Sequence, residues 1–171
     1  DEFGVIIRNE KEQVDKAGVK VVLETEVSAD SVLQSGADAV IVATGSKPKP
    51  HPVGGADGPG VCNVWQVLDQ EVEVGEKVCL IDYDGHHRAT ATAEYLADQG
   101  KKVHIICSSL FIGAELGPTQ DLYLTRQRLL GKGVTFTPDI AVIEVSGEIG
   151  AKTIKGFNVY SNVWDEWSGY D

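Results

Sequence analysis

The stretch Lys77 to Cys107, KVCLIDYDGHHRATATAEYLADQGKKVHIIC, decides how the rest of the chain is read. Its apolar run Val78 to Ile81 has the length of a buried parallel strand. Ala89, Ala93 and Leu96 recur at helical spacing within Arg88 to Gln99, Gly100 can end that helix, and Val103 to Cys107 reads as a second strand. Strand, helix and strand in this order make a βαβ unit of the length used by dinucleotide folds. Between the first strand and the helix, where phosphate-cradling glycines are expected, the chain reads Asp82-Tyr83-Asp84-Gly85-His86-His87. The fold signal is therefore stronger than the ligand signal.

A strand-to-helix turn holds a diphosphate when glycines admit the backbone close to the anion and free amides of the helix N-terminus face it. The three glycine positions of GxGxxG fall at about Asp84, His86 and Ala89, and only the last is small. Asp82 and Asp84 place like charge where a diphosphate would sit, a contact that costs several kcal/mol at worst in a partly desolvated site. The second strand ends in Cys107-Ser108-Ser109, which supplies neither an acid for a ribose hydroxyl nor an arginine for a 2′-phosphate. NAD(P) is not expected. His86 and His87 are adjacent and so point away from a shared metal, and pairing with Asp82 or Asp84 is their ordinary role.

Outward from this unit, Phe3 to Ala17 shows helical spacing, with Asn9-Glu10-Lys11-Glu12 as an alternative capping box, and Gly18 stops it. Val19 to Leu23 reads as a strand, Asp30 to Gln34 as a helical turn, and Ala37 to Val42 as a buried strand running into Ala43-Thr44-Gly45. Ser46 to Gly60 holds four prolines and four glycines, a density that marks a boundary between a domain over 1–60 and another over 61–171. Further on, Val61 to Leu68 reads as a short helix and Gln120 to Leu130 as a longer one, with Thr119 as N-cap and Gly131 as stop. Val134 to Thr137, Ala141 to Val145 and Ile154 to Tyr160 read as strands. The aromatic, acidic tail Ser161 to Asp171 has Trp164 and Trp167 placed to cap a sheet or to face a missing segment.

With 171 residues, 42% of them hydrophobic, the chain can bury a core as one domain or parts of two. A net charge of −11 opposes a nucleic-acid role driven by phosphate contacts. No apolar stretch approaches the ~20 residues that span a bilayer. Cys62, Cys79 and Cys107 lack CxxC partners; Cys79 and Cys107, inside expected strands, are assigned to packing, and three scattered cysteines suit a reducing cytoplasm. No GxSxG or HExxH setting occurs, and no nucleophile, base and acid group together. The absence of methionine, at position 1 included, suggests a piece of a longer protein.

Two segments carry a family resemblance. ADAVIVATGSKP, Ala37 to Pro48, resembles the strand and ATG turn closing the first nucleotide-binding domain of flavoproteins with two dinucleotide domains, and the stretch from Lys77 resembles the start of their second. The D-x-D-G-H loop, with the tail Phe157 to Trp164, looks most like the C-terminal region of trimethylamine, dimethylamine and histamine dehydrogenases, relatives of 2,4-dienoyl-CoA reductase. The resemblance implies an α/β fold: a Rossmann-like three-layer βαβ unit of the FAD/NAD(P)-binding flavoprotein type, vestigial for NAD(P), beside a partial FAD/ADP-type domain. It implies a parent oxidoreductase acting on CH–NH donors, with FMN and a [4Fe-4S] centre outside this chain and none of its catalytic residues here. It also implies ADP or FAD near Ala43, Thr44 and Gly45, with Val27 beside the adenine, and an electron-transferring flavoprotein as partner. The alternative is an NAD(P)H module of a dienoyl-CoA or enoate reductase.

Overall fold

The structure is a computed structural model, and it describes residues 3–49 and 51–171. The chain divides into two compact units after Pro48. In the first, α1 spans Phe3–Lys16 and α2 spans Ala29–Gln34. Gly18 at φ +67° lets the chain leave α1 in a left-handed turn. The Ser28 hydroxyl caps α2 by accepting the Ser31 amide at 3.2 Å.

The expected strands at Val19 to Leu23 and Ala37 to Val42 are not formed; both segments lie outside any strand, and Ile41 is 91% exposed. β-branched composition makes a segment ready to pair, but a strand exists only once another backbone takes its N–H and C=O groups. Neither segment finds that partner among the described residues.

The second unit opens with α3, Val64–Leu68, capped by the Asn63 carboxamide. β1 (Lys77–Asp82), α4 (His87–Asp98) and β2 (Lys102–Cys107) then form the βαβ unit read from the sequence, followed by α5 (Leu122–Gly131) and β3 (Thr135–Thr137). β1, β2 and β3 form a parallel sheet in that order, with Val78 opposite Val103 and His104 opposite Thr135. α5 begins two residues later than expected: Thr119 turns back to donate to the Leu116 carbonyl, Asp121 stands at the N-cap, and Gly131 lies inside the helix. The left-handed residue after α5 is Gly133, at φ +79°.

β4 (Ile140–Ser146), β5 (Lys152–Asn158) and β6 (Trp164–Tyr170) form a separate antiparallel sheet. The tail is thus a strand. Gly54 joins this unit by hydrogen bonds to Ile143 and Val145, each 2.8 Å.

Three layers follow from the alternation along β1 and β2. Leu80, Val103, Ile105 and Cys107 pack toward Ala89, Ala93 and Leu96 of α4 and Leu129 of α5. Cys79, Ile81 and Ile106 pack the other way, against Val142, Val145 and Ile154 of the antiparallel sheet. A sheet covered on both faces needs continuous apolar strands, which is why Val78 to Ile81 reads as an unbroken run. The covered faces leave the sheet's carboxyl edge, where α/β folds bind ligands, to the β1–α4 loop.

Candidate site at the carboxyl edge of the parallel sheet

Asp82 ends β1 and is 4% exposed. Its Oδ1 accepts the Asp84 amide at 3.2 Å and the Gly85 amide at 3.0 Å. Asp84 repeats the move one step later, its Oδ1 accepting the His86 amide at 3.1 Å. Three successive backbone donors of the turn are therefore turned onto the chain's own carboxylates. Gly85, at φ +65°, permits the bend. Burial is the largest influence on Asp82 and raises its pKa, which the two amides partly offset, while neighbouring Asp84 raises it further.

The surrounding side chains close the loop. Arg88 Nη2 pairs with Asp84 Oδ2 at 2.5 Å, and its guanidinium lies 5.6 Å over the Trp65 ring. His87 pairs with Asp121 at 3.2 Å, ahead of α5, and His86 stands at the N-cap of α4 without a side-chain cap bond. The expected pairing of these histidines with Asp82 or Asp84 is therefore not made. Arg88, one helical turn beyond Asp84, takes that carboxylate, and Asp121 is brought to His87 by the fold. The Tyr83 hydroxyl donates to the Val142 carbonyl at 2.7 Å, tying the loop to β4.

The chain after β2 folds over the same place. The Glu115 amide donates to the Gly85 carbonyl at 3.2 Å, and Ile112 and Leu116, before and after it in the chain, are buried. Asp139, at φ +63°, joins Ser109 and Val159 through its backbone. Asp82 Oδ2 and Asp139 Oδ1 are buried without a hydrogen-bond partner among the described residues. A dinucleotide does not fit this donor set, since its phosphates would meet two carboxylates where they need free amides.

Burial pushes the Cys79 thiol up to about 12 and Cys107 to about 11, so both are held as packing groups. No cluster of three or more histidine, cysteine or acidic side chains able to hold a metal occurs among the described residues. Among the described residues, no helix is long and apolar enough to cross a membrane. Val27, Ala43, Thr44 and Gly45 lie in the first unit on exposed chain outside any helix or strand, and Gly45 has φ +72°. Neither the Asp82 and Asp84 bonds to the loop amides nor the Glu115 contact was anticipated from sequence. The doubled carboxylates beside a single glycine were the available signal for the first.

No family model matches the chain. It is 30% identical over 162 residues to an N,N-dimethylglycine/sarcosine dehydrogenase of Chromohalobacter salexigens, covering 90% of this chain and 23% of that protein. It is 31% identical over 153 residues to a dimethylamine dehydrogenase of Hyphomicrobium sp., covering 82% of this chain and 19% of that protein. Among solved structures, a 2-naphthoyl-CoA reductase complex superposes with a TM-score of 0.77 at 27% identity, over 96% of this chain and 24% of that one. A histamine dehydrogenase from Rhizobium sp. 4-9 shares the fold with a TM-score of 0.73 at 22% identity, over 86% of this chain and 24% of that one. The chain thus spans about a fifth to a quarter of the length of these proteins. Its fold is of the FAD/NAD(P)-binding oxidoreductase type.

Proposed function

We propose, on the premise that this chain belongs to the family of the dimethylamine and sarcosine dehydrogenases, that it is a nucleotide-type region of an amine-oxidising flavoenzyme and performs no chemistry itself. FMN and an iron-sulfur centre would do the redox work elsewhere in the parent. The first unit would contribute Val27 and Ala43 to Gly45 to an ADP or FAD site, and the parent would pass electrons to an electron-transferring flavoprotein. The second unit would serve as a packing domain that does not hold NAD(P)H.

One observation carries this reading: the amides of Asp84, Gly85 and His86 donate to Asp82 and Asp84 instead of facing open space. In a working NAD(P)H module of a reductase, the rival reading, those amides would be free for the diphosphate. Calorimetric titration of the chain with NADH and NADPH separates the two. No saturable binding is expected up to about 1 mM ligand, and saturable binding below that concentration would overturn the reading.

A further inference from the structure

We propose that the amino edge of the parallel sheet holds a binding site for a small organic dianion of the phosphate monoester class, between Lys77, Lys102 and Tyr170. The inference is independent of the amine-oxidising reading and concerns the end of the sheet away from the β1–α4 turn. Side chains opposite one another in register stand on the same face of a sheet, as do those two residues apart along a strand. Lys77 pairs with Lys102 at the start of β1 and β2, and His104, two residues on, pairs with Thr135 of β3. Lys77, Lys102, His104 and Thr135 therefore share one face. Tyr170 of β6 meets that face, its hydroxyl 2.5 Å from His104 Nδ1. Together these five residues line a cavity of about 280 Å³, close in size to the smallest pockets that take small molecules.

The charges in this cavity are uncompensated. Like charges directly opposite on neighbouring strands repel. Among the described residues neither Lys77 nor Lys102 forms an ion pair, although the chain carries a net charge of −11. Of the acids beside these strands, Asp171 turns Oδ2 to the Lys77 amide at 2.8 Å, and Glu76 forms no ion pair among the described residues. Lys77 Nζ lies instead 5.2 Å over the ring of Tyr170, a residue only 5% exposed. Its charge reaches the imidazole as well: after burial, it is the second influence lowering the His104 pKa. A dianion between the two ammonium groups would replace their repulsion with two charge-assisted contacts. The Tyr170 ring then offers an apolar wall to the organic part of the ligand, and a bare phosphate would leave much of the cavity unfilled.

The experiment titrates the wild-type chain at low ionic strength with phenyl phosphate, inorganic phosphate and phenol, following the His104 ring and the Thr135 and Gly85 amides by NMR. Phenyl phosphate should bind with a dissociation constant below about 1 mM, moving the His104 and Thr135 signals and leaving Gly85 in place. Inorganic phosphate should bind at least about threefold more weakly, and phenol should not saturate. Lys102→Gln and Lys77→Gln should each weaken phenyl phosphate binding at least about fivefold, whereas Lys155→Gln, a lysine set over Trp164 on β5, should change it less than about twofold. Circular dichroism checks folding, and should Lys77→Gln lose structure by uncovering Tyr170, the exposed Lys102 carries the test alone. Absence of saturable phenyl phosphate binding, or saturation that moves Gly85 in place of His104, would overturn the inference. Equal losses in Lys102→Gln and Lys155→Gln would overturn it too, since they would mean diffuse attraction to surface lysines, and equal binding of inorganic phosphate would overturn the organic ligand. None of these outcomes bears on the packing-domain reading, which the NADH and NADPH titration tests separately.

Discussion

The Asp82 carboxylate accepts the Gly85 amide at 3.0 Å, and this bond is where the chain departs from a dinucleotide cradle. The strand before it and the helix after it are of the nucleotide-binding kind, but the donor that would meet a phosphate meets a side chain of the same loop.

Its charge gives the first prediction. Burial and Asp84 raise the Asp82 pKa above its ordinary 3.8, so the folded state holds this proton more tightly than the unfolded chain. The contribution to stability is complete below the ordinary value and is lost as pH rises through the raised one. Asp82→Asn keeps an acceptor for both amides and removes the titration. Denaturant unfolding should show the stability of Asp82→Asn relative to wild type increasing as pH rises from about 4 to 7.

At the opposite edge of the sheet, His104 Nδ1 lies 2.5 Å from the Tyr170 hydroxyl and Nε2 lies 2.9 Å from Thr137 Oγ1. This chain of contacts joins β2, β3 and β6. Tyr170→Phe keeps the packing, removes one of the two partners of His104 and should cost about 1 kcal/mol in denaturant unfolding.

His104 should also make the unit sensitive to acid. Burial, and secondarily the Lys77 charge, lowers its pKa from the ordinary 6.5. The unfolded chain therefore takes the proton first, and the stability contribution is present above 6.5 and lost as pH falls below it. Thermal unfolding of the wild type should drop more steeply between pH 6.5 and 5 than that of His104→Gln.

Glu94 of α4 accepts from Arg128 at 2.9 Å and from Lys132 at 3.0 Å, clamping α4 to α5. The Arg128 hydrogen bond is the largest influence holding the Glu94 carboxyl below its ordinary 4.5. The clamp is present above that value and is lost as pH falls through the lowered one. Glu94→Gln should lower stability by about 0.5 kcal/mol at pH 7 and low salt, and the difference should shrink toward pH 3 or in about 1 M salt.

Gly55 illustrates a backbone requirement. It has φ +75°, and a Cβ there would stand 2.0 Å from the Val145 carbonyl oxygen of β4. Gly55→Ala should destabilise the second unit by more than about 2 kcal/mol, since strain and collision act together.

Much of this architecture is legible in the sequence, for physical reasons that also mark the limit. Lys77 to Cys107 is local: its periods, its stop at Gly100 and its two-faced burial are written in consecutive residues. Val19 to Leu23 and Ala37 to Val42 carry the same β-branched signal without forming strands, because pairing is supplied by a distant segment. β6 hides its period. Trp167 and Tyr170 are its inward residues, and their spacing of three follows from the register shift opposite Lys152 and Thr153 and from Gly169 at φ +79°. In the site, Asp82 and Asp84 were legible as obstacles to a diphosphate. That they bond the loop amides, and that Asp121 holds His87, depends on the folded turn and on the approach of α5.

The most direct measurement follows the backbone amides of Asp84, Gly85 and His86 by two-dimensional 15N NMR while NADH is added to the wild-type chain. The internal carboxylates should keep all three resonances in place up to about 1 mM NADH. Saturable movement of these resonances would contradict the account, since it would mean that the amides are free to hold the diphosphate.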